Sequence, residues 1–231
     1  MAERGDLTVL HEPFSNLQDY GETDVGGRTF DSPTTLLAWL RDQADRRDMF
    51  LKDTMDHQHD EVLADRRFLA EVRHAFLIRR PEEIAASYYA LFPPMTVNAI
   101  GMERLCEMRT AITNAGGTPP VVIDSDDLVI RPAATMAAYC AAVALPFNPR
   151  ALTWERGEQP AWRRSARWHT DASNSTGFQR REREYPHTVE NSEKLAQYAA
   201  HHRSFYEQLY AQRMDVSPWE RTSASPPPPR S

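Results

Sequence analysis

The sequence predicts an α/β fold: a parallel sheet of about four strands flanked by helices. Residues 7 to 10 (LTVL), 49 to 53 (MFLKD), 75 to 78 (AFLI) and 121 to 123 (VVI) are short apolar runs with little polar alternation, the pattern of strands buried on both faces. Helical periodicity separates these runs, and proline or glycine punctuates the joins. Strand and helix in alternation mean parallel pairing.

Each element has its own local reason. MAERG at the start reads as the last turn of a helix, stopped by Gly5 in a left-handed conformation. LTVL is the first strand. Ser32 as N-cap and Pro33 in the first turn open a helix that runs to about Arg47. MFLKD is the second strand, and HQHD (57 to 60) after it reads as a flexible loop rather than a metal site, for want of a matching ligand motif. AFLI is the third strand, with Pro81 opening the helix behind it. Residues 98 to 114 form a helix stopped by Gly116 and Gly117. After VVI, the fourth strand, DSDDL (124 to 128) supplies three carboxylates suited to loop hydrogen bonds and a helix start.

From Pro132, PAATMAAYCAAVAL is a small-residue helix ended by Pro146. Residues 148 to 187 hold three of the five tryptophans and few periodic apolar positions, so a long structured loop region is expected. Residues 192 to 213 then place Leu195, Tyr198, His202, Phe205 and Leu209 at helical spacing, a helix that packs on the sheet. His201 and His202 read as ordinary helix residues. The organisation is a single domain over residues 1–215 and a disordered, proline-rich tail over 216–231.

The chain has 231 residues, 41% of them hydrophobic, enough for a sizeable core. A formal net charge of -6 argues against a basic face for nucleic acid, although local arginine clusters can still hold small anions. No apolar run has the length of a membrane span, and no charged start leads into an apolar stretch. Cys106 and Cys140 sit among apolar neighbours in helical patterns and read as buried free thiols. A cytoplasmic location is therefore expected.

In an open parallel sheet, ligands bind beyond the carboxyl ends of the strands. Those ends carry HEPF (11 to 14), KDTMD (52 to 56), RRPEEIAAS (79 to 87) and DSDDL. Arg79 at a strand end, with Ser87 on the helix that follows, offers one anion a guanidinium, a hydroxyl and free backbone N–H groups. The alternative is an ion pair between Arg79 and Glu82 or Glu83. Lys52 stands out because the 27 Lys and Arg residues include only one other lysine, Lys194. WRRSARWHTDASNSTGF (162 to 178), with Arg163 and Arg164, suits a segment that folds over a nucleotide by stacking and charge pairing. Its tryptophans could equally fill a satellite core.

HEPF, then FLIRRPEEIAASYY, then VVIDSDDLVIRPAATMAAYCAAVALPF with the later tryptophans and STGF, resemble bacterial P-loop sulfotransferases in their order. The resemblance covers most of residues 6 to 180. It implies a P-loop NTPase-like parallel core and sulfuryl transfer from 3′-phosphoadenosine 5′-phosphosulfate to a hydroxyl or amine of a small-molecule acceptor. Arg79 and Ser87 match the pair that grips the cofactor's 3′-phosphate in that family, and a late loop that covers the cofactor corresponds to the segment with Arg163 and Arg164. Arg80 departs from the acidic residue common there. The front departs further: relatives begin with a strand and a Ser/Thr-rich loop that cradles the 5′-phosphosulfate, and no glycine here lies in a GxxxxGK[ST] pattern. MAERG falls where the family's first helix ends, so the first strand of the core is expected to be missing through a start at an internal methionine. A degenerate, non-catalytic member is the other account.

Sulfuryl transfer builds charge on the bridging oxygen of the leaving phosphate, and Lys52 is the candidate to stabilise it. The acceptor must lose a proton, for which Glu12 and His11 compete. Glu12 precedes Pro13 at a strand exit, where partial burial would raise its pKa. His11 needs less tuning to work near neutrality. Glu12 is preferred, since acidic residues near this position resemble bases in some bacterial relatives. The chemistry requires no metal. The competing readings are a pseudo-sulfotransferase that binds a nucleotide or partner protein, and a kinase-like enzyme, which the missing loop disfavours. A sheet without its first strand would leave an unpaired edge and an uncovered apolar face, which invites a homodimer.

Overall fold

The computed structural model describes residues 1–180 and 183–219. After a single 3-10 turn at Ala2–Arg4, Gly5 stops the chain in the left-handed conformation that MAERG predicts, with φ 75°. β1 (Thr8–His11) leads into α1 (Pro13–Tyr20), a hairpin of β2 (Thr23–Val25) and β3 (Arg28–Phe30), and α2 (Pro33–Ala44). β4 (Met49–Lys52) is followed by two short helices, α3 (Asp60–Ala64) and α4 (Arg66–Glu71). β5 (Ala75–Ile78) precedes α5 (Pro81–Leu91) and α6 (Met102–Ala115). β6 (Val121–Asp124) runs into α7 (Ser125–Ile130) and α8 (Pro132–Ala142), and beyond α9 (Thr170–Ser173) the chain closes with α10 (Glu193–Tyr210).

The four apolar runs are strands and they are parallel, but they do not hydrogen-bond into one sheet. Among the described residues, β1 pairs only with β4 and β5 only with β6. The expected sheet of about four strands is thus two parallel pairs. Both pairs nevertheless separate the same two apolar clusters. Leu10, Met49, Leu51, Phe76, Ile78 and Val122 face the large core, which α2, α6 and α10 cover with Leu36, Ile112 and Leu195. Phe50, Val121 and Ile123 face a smaller cluster closed by Tyr139 and Cys140 of α8 and by Val143 just past its end. Successive strand residues point to opposite faces, so this alternation lays both pairs in one layer between helices. Leu77, 57% exposed, is an apolar strand residue left uncovered.

The hairpin of β2 and β3 escapes the apolar-run reading because each strand has three residues. Its signal is Gly26-Gly27, with φ 59° and 75°, the pair of positive φ values that a two-residue turn of right-handed twist demands. HQHD is a loop as far as His59, with Asp60 opening α3, and its histidines are engaged. His59 is buried at 5% exposure and its Nε2 lies 2.9 Å from the Thr54 carbonyl, while His57 pairs with Asp19 at 3.0 Å. A buried imidazole bonded to backbone fixes that segment. α2 ends at Ala44, ahead of the predicted Arg47.

Past α10 the chain is still anchored: Met214 N–H donates to the Val122 carbonyl at 2.8 Å and Val216 is 3% exposed. The predicted tail boundary at 216 therefore falls inside packed structure. The remainder of the proposed tail, 220–231, lies outside the described residues. Cys106 and Cys140 are buried free thiols. Among the described residues no helix is long and apolar enough to cross a membrane.

Candidate active site

In-register pairing of β1 with β4 ends both strands at one level, with His11 opposite Lys52. Glu12 follows immediately and donates its backbone N–H to the Lys52 carbonyl at 2.6 Å. Its own φ is 50°, a left-handed conformation that costs a residue with a side chain roughly 1–2 kcal/mol. Strain of this kind persists where surrounding contacts over-determine it. Here Pro13 starts α1 directly after Glu12, and the carboxylate is held by the Lys52 ammonium through Oε1 and by His11 Nε2, 3.4 Å from Oε2.

These contacts overturn the expectation that burial raises the Glu12 pKa. Burial is the largest single influence and does push it up, but the His11 hydrogen bond and the charge and bond of Lys52 together hold it at about 2. A carboxylate so strongly stabilised is a poor proton acceptor near neutrality. Glu12 suits the partner of an imidazole better than a base.

The sequence reading missed His169. It enters from the loop ahead of α9, and its Nε2 lies 3.1 Å from His11 Nε2 and 3.1 Å from Ser165 Oγ. Trp162 stacks on its ring at 4.8 Å and 23°. Burial, reinforced by the neighbouring His11, pushes His169 down to about 4, so its imidazole is neutral at pH 7. Its signal in the sequence was slight: a histidine within an aromatic and hydroxyl-rich segment that lacks periodic apolar positions.

At the end of β5, Arg79 and Ser87 come together as expected. Arg79 Nη1 donates to Ser87 Oγ at 3.3 Å. The alternative pairing also exists, because Arg79 Nε donates to Glu83 at 2.9 Å. The guanidinium side chain remains 41% exposed. Arg80 turns instead to Glu83 at 3.1 Å and to Asp126. The DSDDL carboxylates have structural partners: Asp124 caps α7 through the N–H groups of Asp126 and Asp127, and Asp127 pairs with Arg131.

Residues 160–168 lie across both groups. Trp162 and His169 cover His11, and Trp168 meets Tyr88, next to Ser87 in α5, at 4.7 Å. Tyr88 Oη in turn donates to Asp56 at 3.1 Å. The two arginines expected at the cofactor, Arg163 and Arg164, have no contact with Arg79 among the described residues. Arg163 is exposed. Arg164 bonds the Glu22 carbonyl at 3.1 Å, pairs with Asp24 at 3.6 Å and lies over the Tyr20 ring at 5.2 Å.

The sulfotransferase domain matches residues 1–212. The chain belongs to this family. The family resemblance drawn from HEPF, FLIRRPEEIAASYY and the later segments is thereby shown. Two Arabidopsis thaliana proteins, the branched-chain-amino-acid aminotransferase-like proteins 2 and 1, are each 32% identical to this sulfotransferase-domain chain, over 123 and 119 residues. The matches cover 52% and 50% of this chain and 21% and 20% of theirs, so it spans about a fifth of the length of those curated relatives. The sulfotransferase domain from the curacin biosynthetic pathway aligns with 85% of this chain and 63% of its own, at 12% identity and a TM-score of 0.36.

The sulfotransferase-domain residues fit a phosphosulfate nucleotide at one end and not at the other. Arg79 and Ser87, convergent and accessible, suit a 3′-phosphate. At the 5′ end, an anion would need free N–H groups at a helix start. At α1 those groups are already spent: Phe14 N–H and Ser15 N–H donate to Asp53 at 2.8 and 3.1 Å. At α7 they are capped by Asp124.

Proposed function

We propose that this chain is a sulfotransferase acting on a hydroxyl or amine of a small molecule, with 3′-phosphoadenosine 5′-phosphosulfate as donor. The donor supplies the transferable sulfuryl group. The observation that carries the reading is the convergence of His11, Glu12 and Lys52 at the ends of two in-register parallel strands, in a chain of this family that also pairs Arg79 with Ser87. Arg79 and Ser87 would hold the 3′-phosphate through charge-assisted hydrogen bonds. The paired imidazoles of His11 and His169 would take the acceptor's proton, and the Glu12 carboxylate would stabilise the positive charge that then develops on His11, as a carboxylate does behind a catalytic histidine. Lys52, 40% exposed, retains N–H donors beyond the one spent on Glu12 and can face charge developing on a leaving phosphate.

One observation favours a second reading, nucleotide binding without transfer: the α1 N–H groups that suit a 5′-phosphosulfate are occupied by Asp53. The two readings separate in one experiment. Calorimetry with 3′,5′-adenosine bisphosphate reports the half-site, and release of that product from the phosphosulfate donor, over a panel of phenols, alcohols and amines, reports transfer. Binding with turnover supports the sulfotransferase; binding without turnover supports the second reading; absence of binding at millimolar ligand rejects both.

A further inference from the structure

We propose that His11, Glu12 and His169 form a three-ligand site for a borderline divalent cation, Zn2+ foremost. Two imidazoles and one carboxylate are a donor set that zinc accepts when a fourth position stays open. Imidazole nitrogen and carboxylate oxygen bind tetrahedral zinc at about 2.0–2.1 Å, which sets neighbouring ligand atoms about 3.3–3.4 Å apart. Here His11 Nε2 lies 3.1 Å from His169 Nε2 and 3.4 Å from Glu12 Oε2. The ligand atoms of all three residues fall within 4.8 Å of one another, so a small rotation of one side chain closes the third edge.

The surroundings are arranged for ligation as well. Glu12 spends Oε1 on Lys52 and presents Oε2 to His11, so a cation can take the second oxygen without breaking the ion pair. Trp162 stacked on His169 fixes the plane of that ring, and the Ser165 hydroxyl, 3.1 Å from the same Nε2, gives up that hydrogen bond when a cation takes the lone pair. His11 and Glu12 side chains are 13% and 11% exposed. The two Nε2 atoms face each other and can share one proton; a cation between them uses both lone pairs, with each ring keeping its proton on Nδ1.

Metal choice follows from the same atoms. Lys52 cancels the charge of Glu12, so the site offers no net negative charge to a hard ion that needs several anionic oxygens. Two imidazoles favour Zn2+, Co2+, Ni2+ or Cu2+ over Mg2+ and Ca2+. If the transfer reading holds, on which this one consequence rests, the zinc form is inactive, because the ion occupies the lone pairs that would take the acceptor's proton.

The test is calorimetric titration of the chelator-stripped full chain with ZnCl2, alongside the visible absorption of the Co2+ form. It needs neither donor nor acceptor, so its outcome is independent of whether sulfuryl transfer is found. One Zn2+ per chain, a four-coordinate Co2+ spectrum, no heat with Mg2+ and a loss of at least about tenfold in Zn2+ affinity on His169→Ala are expected. His57→Ala, outside the cluster, leaves the affinity unchanged. Absence of Zn2+ binding, or equal affinity in His169→Ala, overturns the site. Should that variant fail to fold by circular dichroism, the Co2+ spectrum of the parent protein decides: four-coordinate bands support the site, and their absence overturns it.

Discussion

Arg79 reaches the Ser87 hydroxyl at 3.3 Å across the start of α5, so a strand end and the second turn of the following helix present one guanidinium and one hydroxyl side by side. Glu83 holds Nε from the other side, which aims the fork at the cost of a competing negative charge.

Arg79→Ala is therefore expected to weaken 3′,5′-adenosine bisphosphate binding by about ten- to a hundredfold, the loss of a charged hydrogen bond worth about 1.5–3 kcal/mol. Ser87→Ala should cost less, about 0.5–1.5 kcal/mol, the range of a neutral hydrogen bond. Calorimetry checks both. Equal affinity for all three proteins would leave Arg79 as the partner of Glu83 and nothing more.

This pair was legible because strand end, proline and helix start fix the local geometry within nine residues. The β1–β4 site was half legible. His11, Glu12 and Lys52 could be chosen one by one as strand-end residues, but the ion pair of Glu12 with Lys52 depends on a register between strands 40 residues apart, and that contact reverses the direction in which the Glu12 pKa moves. His169 was out of reach, since it arrives across 158 residues from a segment without periodicity. The split of four parallel strands into two pairs was likewise invisible, because an apolar run reports burial of its faces and says nothing about which edge finds a partner.

Glu12 links rate and acid stability. Glu12→Gln removes the charge behind His11, and a fall of about 10²–10⁴-fold in transfer rate is expected, the range for a disabled acid–base group. Its folded pKa, about 2, lies below the ordinary 4.5, so the folded state binds fewer protons between those values. Stability from this group is fully present above about pH 4.5 and is lost as pH falls toward about 2. Glu12→Gln should flatten that stretch of the acid unfolding curve; an unchanged slope would mean that Lys52 and His11 do not hold the carboxylate.

Gly117 and Gly116 separate close approach from backbone conformation. A Cβ on Gly117 would lie 2.5 Å from the Leu69 carbonyl oxygen and 2.9 Å from Ile112 Cγ2, both in residues of the buried core. Gly116 has φ 84° and open space around it. Gly117→Ala should cost about 2–3 kcal/mol, at the upper end of overpacking, and Gly116→Ala about 1–2 kcal/mol of left-handed strain. Thermal melting should rank Gly117→Ala as the less stable by a few degrees. The reverse order would show that the α6 terminus shifts to admit a methyl group.

His202 is 1% exposed in α10 and uses both ring nitrogens. Nε2 lies 2.8 Å from the Val97 carbonyl, which can only accept, so Nε2 carries the proton. Nδ1 accepts the Glu103 N–H at 3.4 Å, which closes the first turn of α6. Burial lowers the pKa of this ring below its ordinary 6.5, against the smaller upward pull of the Val97 hydrogen bond. Protonation would turn Nδ1 into a donor facing another donor. The unfolded chain binds a proton near pH 6.5 that the folded chain refuses, so stability holds above that pH and declines as pH drops through the window below it. His202→Gln, neutral at every pH, should lower stability at pH 8 through imperfect replacement of two buried hydrogen bonds, yet lose less of it between pH 6.5 and pH 5 than the parent protein. Denaturant unfolding at the three pH values measures the difference, and parallel losses in both proteins would mean that the ring accepts its second proton while still folded.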